Sequence, residues 1–219
     1  MSKTKIEWVK NPDGSQGHSW NPIQGLCPVG CWYCYARRIY QRFHLNPMLN
    51  HIWIKPPVKP CGVFVCSTME LFHPDIPKEW RDLVFKDIEE RPNHRFYILT
   101  KLPQNIDRPM PDNVWLGVSI TGNDKQWYKG FDLYLTQAKT KFISFEPLLK
   151  PIEIIDELFN FDWIIVGRLT GHGKKYQPER AWIQEIVDEC KAHNIPVFLK
   201  DNLKEIWGNP LIQEMPKHE

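Results

Sequence analysis

The strongest constraint on the fold is a short apolar run, rich in β-branched residues, that recurs along the chain and ends each time in a polar residue or glycine. Residues 63–66, 96–99, 114–118, 142–145, 163–166 and 197–199 form such runs. Ser67, Thr100-Lys101, Ser119, Glu146-Pro147, Gly167 and Lys200-Asp201 follow them in turn. Runs of this length and composition read as buried strands. An earlier strand is expected within residues 19–26, weakened by Pro22 and Gly25. Helical patterns alternate with the runs, at 31–44, 78–90, 124–138 and 178–193. Trp80, Leu83, Val84 and Ile88 make one apolar stripe, with Asp75 or Pro77 at its start. Trp127, Phe131 and Leu135 make another, with Asn123 as its N-cap. Trp182, Ile186 and Val187 make a third, with Pro178 near the helix start.

Strand and helix alternating six or seven times predict a parallel sheet covered by helices. The chain has 219 residues, short of the ~250 typical of a closed eightfold barrel. The expected fold is therefore α/β, a partial (β/α)6-type parallel barrel, in one domain over residues 1–219. An open doubly wound sheet is the alternative, disfavoured because no Gly-rich dinucleotide turn follows the first strand. In either architecture the ligand site lies at the carboxyl ends of the strands, where the polar residues above fall.

Hydrophobic residues make up 42% and charged residues 25%, enough for a core and too apolar for disorder. The net charge of +2 excludes a strongly basic coat-type nucleic-acid binder, though not a local basic groove. Residues 1–10 carry no signal-peptide pattern, and no apolar stretch approaches a membrane span. The expectation is a cytoplasmic protein that stays off membranes. There the six cysteines would stay reduced, which points to metal or redox chemistry rather than disulfides.

Three of them crowd into one segment, Cys27-Pro-Val-Gly-Cys31-Trp-Tyr-Cys34, just before an expected helix. Backbone N–H groups near a helix start favour thiolates and the anionic group they hold. Zinc is one candidate. It asks for four ligands, usually in two separated pairs; Cys61, Cys66, His18 and His44 are the available fourth donors. The other is an iron–sulfur cluster with one open corner, which needs three.

At Cys27, Cys31 and Cys34, with Tyr33 before the last cysteine, the sequence resembles the radical S-adenosylmethionine (SAM) enzymes. That resemblance implies a 4Fe–4S cluster whose unligated iron chelates SAM, and reductive cleavage of SAM to a 5′-deoxyadenosyl radical that abstracts a substrate hydrogen. Further segments are similar to the uncharacterised phage-associated radical SAM family: Trp20-Asn21-Pro22, Cys34-Tyr35-Ala36, Leu71-Phe72-His73, Leu99-Thr100-Lys101, Leu116-Gly117-Val118-Ser119, Phe145-Glu146-Pro147-Leu148 and Trp163-Ile164-Ile165-Val166-Gly167. Where most members have Gly-Gly-Glu-Ser-Gly, this chain has Gly167-Arg168-Leu169-Thr170-Gly171, so Arg168 puts the opposite charge in an acidic position.

A looser resemblance is to spore photoproduct lyase, a radical SAM enzyme that repairs DNA. It rests on Tyr35 after the cluster motif, Cys66-Ser67, Lys101 and Ser119. It implies that Ser67, Lys101 and Ser119 contact SAM, and that Cys66, Tyr33 and Tyr35 serve hydrogen return. No counterpart of that family's DNA-binding hairpin is evident.

The resulting expectations are these. Cys27, Cys31 and Cys34 ligate the metal, and Tyr33 meets the adenine. Cys66 and Tyr35 are the catalytic candidates, with burial at a strand end as the plainer role for Cys66. Ser67, Lys101, Ser119 and Glu146 bind SAM, Glu146 being better placed than Glu70 for the amino group. The partners implied are a flavodoxin- or ferredoxin-type reductant and a nucleic-acid or nucleotide substrate. Cys61 and Cys190 read as structural. Arg168, His172, Lys200 and Asp201 stand at later strand ends, to face substrate or form ion pairs. Arg37, Arg38 and Arg42 read as a solvated helix face, and residues 45–60 as a lid or platform loop. Two alternatives remain open: a zinc-stabilised nucleic-acid-binding module without catalysis, and a cluster-bearing radical SAM fold that does not cleave SAM.

Overall fold

The computed structural model describes residues 3–122, 127–152 and 160–217. The elements are, in chain order, β1 (His18–Trp20), β2 (Ile23–Gln24), α1 (Tyr35–Arg42), β3 (Asn50–His51), β4 (Gly62–Val65), α2 (Lys78–Glu89), β5 (Arg95–Thr100), β6 (Val114–Ser119), α3 (Trp127–Tyr134), β7 (Thr140–Phe145), β8 (Trp163–Val166), α4 (Arg180–Ala192), β9 (Val197–Leu199) and α5 (Lys204–Trp207). Seven strands share one sheet in the order β1-β4-β5-β6-β7-β8-β9. The fold is thus α/β on a parallel sheet, with pairs β1–β4, β4–β5, β7–β8 and β8–β9 all parallel. Two compact units make up the chain: Met1–Leu116 with Gln137–Lys139, and Gly117–Thr136 with Thr140–Glu219.

The first unit is floored by aromatic rings. Trp8 packs against Phe64 and Tyr97 at 5.2 and 5.6 Å, and Tyr97 meets Trp115 edge-on at 5.3 Å. The Arg95 guanidinium caps Trp115 at 4.3 Å, a cation–π contact. α2 buries Val84, Phe85 and Ile88, each such side chain contributing roughly 1.5–3 kcal/mol. Trp80 and Leu83 of the expected stripe are only half-buried, and Phe85 takes the inner position instead.

The expected first strand is split. Pro22 has no N–H to donate, so β1 stops at Trp20 and the chain turns out to form β2. β2 pairs antiparallel with β3, which lies inside the segment expected to be a loop at 45–60.

In the second unit Phe142, Trp163 and Phe198 pack ring to ring, at 5.7 and 6.0 Å. The Trp163 indole N–H donates to the Glu214 carbonyl at 2.9 Å. A Cβ on Gly117 would stand 2.3 Å from the end of the Phe142 ring, so only glycine lets that ring reach β6. α4 buries Ile183, Ile186, Val187 and Cys190 and leaves Trp182 half-buried.

α3 reverses its expected face. Phe131 and Leu135 are exposed, while Gly130 and Leu133 are buried. A Cβ on Gly130 would meet Ile120 and Phe161 at an ordinary contact distance of about 4.0 Å, so this side of the helix faces those two residues. The larger residues turn out. Asn123, Asp124 and the Trp127 side chain lie outside the described residues.

Candidate functional site

The cysteine loop begins where β2 ends. Gly25 has φ +114° and its N–H donates to the Tyr40 hydroxyl at 2.9 Å. A Cβ there would meet the Met48 carbonyl at 2.6 Å. Gly30, at φ +68°, supplies the second left-handed turn. Cys34 N–H then closes a turn onto the Cys31 carbonyl at 3.1 Å, and Cys34 is the N-cap of α1. Cys27, Cys31 and Cys34 are unbridged and half-buried. They line one small hollow, open to solvent, together with Gly25, Gly30, Arg37 and Thr68.

Burial pushes the Cys27 thiol up from its ordinary pKa, although its sulfur accepts N–H bonds from Val29 and Glu70. The Arg37 guanidinium donates to the Cys27 carbonyl at 3.2 Å. Burial first, then Cys31, raises the Tyr33 phenol, whose side chain hydrogen-bonds Cys31. Among the described residues no group of three or more His, Cys, Asp and Glu side chains could hold a metal ion. The three thiols do not converge on a single-ion site, but their chemistry and their place around one hollow are those a larger, polynuclear iron–sulfur group takes.

Behind the loop, β4 ends at Cys66, which is buried and held at φ +53°. A non-glycine residue there carries backbone strain. Burial pushes its thiol up to about 12; the sulfur accepts the Ile23 N–H, and Glu70 and Cys27 are close enough to add to the shift. Glu70 is buried and joins its own loop to the end of β5. Its Oε1 accepts the Thr100 hydroxyl at 2.6 Å and the Phe72 N–H at 3.2 Å, and its Oε2 accepts the Lys101 N–H at 2.7 Å. These bonds make Glu70 a brace between the ends of β4 and β5. Ser67 donates to Asn21 Oδ1 at 3.1 Å, and its carbonyl accepts the Tyr35 hydroxyl at 3.3 Å. The first unit therefore gathers Cys66, Ser67 and Tyr35 by direct bonds, and braces Lys101 to the same group through Glu70.

Ser119 and Glu146 belong to the second unit. Ser119 is buried at the end of β6. Glu146 follows β7 and pairs with the Lys200 ammonium. Gly167 lies beside the pair, its absent Cβ leaving room for both side chains, at 2.9 Å for Lys200 and 3.2 Å for Glu146. Arg168 is tied into its own surroundings. It bonds Gln177 Oε1 at 3.2 Å and Glu205 Oε2 at 2.9 Å, and exchanges two bonds with Asn202. Asp201 Oδ1 accepts the Gln213 amide at 3.1 Å.

The sequence reading missed the roles of two residues. Ser144 is fully buried in β7, and its hydroxyl has no partner among the described residues. A lone hydroxyl inside an apolar run was the available signal. Thr100, which holds Glu70, gave no signal beyond its place at a strand end.

These features define an α/β protein with a three-thiol loop at the carboxyl ends of a parallel sheet. Residues 3–213 match the family described as a protein of unknown function (DUF5131), and the chain belongs to that family. No curated protein and no solved structure matches it. No helix among the described residues is long and apolar enough to cross a membrane.

Proposed function

We propose that this chain is a radical SAM enzyme on a partial (β/α)6-type barrel, in which Cys27, Cys31 and Cys34 hold a 4Fe–4S cluster. The observation that carries the reading is the cysteine loop. Three thiols at x3 and x2 spacing line one hollow, and one of them already receives two backbone N–H bonds. Hydrogen bonds to sulfur of this kind tune iron–sulfur clusters. When bound, the cluster and SAM supply one-electron chemistry: reductive cleavage gives methionine and a 5′-deoxyadenosyl radical able to take a substrate hydrogen.

The chain's own residues position and protect. Gly25 and Gly30 shape the loop, and the Glu70 backbone orients Cys27. Tyr33 covers Cys31 and meets the adenine. Ser67, Lys101 and Ser119 offer a hydroxyl, a cation and a hydroxyl to SAM at strand ends. Glu146, its charge balanced by Lys200, is the carboxylate for the SAM amino group. Cys66 keeps its hydrogen far above neutral pH, the state a hydrogen-atom donor requires, and Tyr35 connects it toward solvent through Ser67. The electron comes from a flavodoxin- or ferredoxin-type carrier, in a cytoplasm that keeps all six thiols reduced.

The test is anaerobic reconstitution with iron and sulfide. The expected product is brown, with broad absorption near ~400 nm from thiolate-bound iron–sulfur, and each of Cys27→Ser, Cys31→Ser and Cys34→Ser abolishes it. Incubation with SAM and dithionite then yields 5′-deoxyadenosine. A colourless protein that holds one zinc when purified without oxygen overturns the reading. A brown protein that releases no 5′-deoxyadenosine overturns its catalytic part.

A further inference from the structure

The near-neutral total charge conceals an uneven distribution. Between Asp13 and Glu70 the sequence has no Asp or Glu, while Arg37, Arg38, Arg42, Lys55 and Lys59 all fall there. This is the segment that contains the cysteine loop. Glu70 is buried, and Asp87 pairs with Lys55 at 2.6 Å. Arg38, Arg42 and Lys59 are exposed.

The same segment exposes large rings. Trp32 is 53% exposed, Tyr35 52%, Phe43 61% and Trp53 76%. Tyr35, Ile39 and Phe43 recur at i, i+4 and i+8, and so share one side of α1 and its C-cap. Arg38 and Arg42 stand next to that stripe, and the Arg42 guanidinium lies 5.4 Å over the Phe43 ring. Trp32 sits between two of the proposed ligands. The stretch leading to Trp53 is laced to the residues before the loop: Leu26 N–H donates to the Pro47 carbonyl, Ile52 N–H to the Pro22 carbonyl, and β3 pairs with β2. Trp53 itself packs edge-on against His51 at 5.0 Å.

Exposed aromatic rings interleaved with exposed cations are what a single-stranded polynucleotide needs. Cations follow its phosphates and rings stack its bases, with little preference for sequence because every base has a π-face. An acidic protein would satisfy the cations but would leave four rings without flat partners. We infer that the surface around the cysteine loop, carried by α1 and the segment through Trp53, binds single-stranded nucleic acid and delivers a nucleotide to the site. As a substrate assignment this rests on the function proposed above.

The test measures fluorescence anisotropy of labelled oligo-dT and oligo-U, about 20 residues long so as to span more than one stacking site, with the full chain before and after reconstitution. Saturable binding is expected, stronger than to a duplex of equal length. Trp53→Ala and Phe43→Ala should each weaken it roughly fivefold or more. The double variant Arg38→Gln/Arg42→Gln should reduce the slope of log K against log salt by about 1.4, two contacts at ~0.7 each. Circular dichroism checks that the variants fold. The dT and U arms show whether DNA or RNA is preferred. No binding, equal binding to duplex, or binding indifferent to all these variants overturns the inference. So does binding of poly-L-glutamate that competes with the oligonucleotides and ignores the ring deletions, which would assign the surface to an acidic protein. Oligonucleotide binding that responds to the variants, in a chain that never yields 5′-deoxyadenosine, supports the surface and sinks the enzymatic reading.

Discussion

Glu70→Gln is the substitution whose effect is best defined by geometry. The native carboxylate accepts three hydrogen bonds, from Thr100, Lys101 and Phe72. Glutamine keeps the shape but has one acceptor oxygen. If that oxygen stays with Thr100 and Phe72, the new NH2 faces the Lys101 N–H, donor against donor. Flipping the amide moves the same conflict to Phe72. The change loses one charge-assisted bond, about 1.5–3 kcal/mol, and leaves a buried donor unsatisfied, about 1–3 kcal/mol more. A loss of ~3 kcal/mol is expected, which for a chain of this size lowers Tm by roughly 6–12 °C. Thr100→Val breaks the shortest of the three bonds, so the two changes should couple by ~1 kcal/mol or more in a double-mutant cycle. The assay is urea unfolding of the four cycle members under reducing conditions. If Glu70→Gln stays within ~0.5 kcal/mol of wild type, or the two changes simply add, the carboxyl is not an ionised brace and the reasoning fails.

Other outcomes follow from the same structure. Lys200→Met should cost ~2 kcal/mol by leaving Glu146 unpaired in a partly buried position, and adding Glu146→Gln should recover most of it; urea titration decides, and no recovery refutes the pairing argument. Gly117→Ala should lose ~3 kcal/mol or fail to fold, because its methyl would overlap the Phe142 ring; a thermal melt within 2 °C of wild type, about 1 kcal/mol or less, would contradict it. Alkali should destabilise the cluster-free protein. Cys66 and Cys190, raised by burial to about 12 each, hold their protons in the folded state after the unfolded chain has released them. Stability is therefore intact below about pH 9 and falls as pH rises toward 12, by ~1.4 kcal/mol per pH unit for each thiol. Urea midpoints at pH 8, 9.5 and 10.5 (spanning the thiol range that begins near ~8.5) check this, and a Cys66→Ala/Cys190→Ala chain should lose most of the alkaline slope.

The strands were legible because buried β runs are written locally. Residues 163–166 and 197–199 coincide with β8 and β9, and most other runs differ from the strands by a residue or two at an end. The cysteine spacing was legible for the same reason. What sequence could not show depends on partners far apart in the chain. Glu70 became a brace through Thr100 and Lys101, 30 and 31 residues away. Glu146 acquired its counter-ion 54 residues on. The inner face of α3 was not legible, because a periodic stripe shows that a helix has two sides and does not say which of them, that of Phe131 and Leu135 or that of Leu133, meets the rest of the fold.

The start of α1 has a further consequence. Its first turn has no side-chain cap, and the residue in the capping position is Cys34. Uncapped first turns fray, since their N–H groups have no partner within the helix. A ligand held through Cys34 would therefore also be the stopper of this helix. Losing that ligand would loosen the turn that carries Tyr35 and Arg38, so occupancy of the site and order at the start of the helix would rise and fall together.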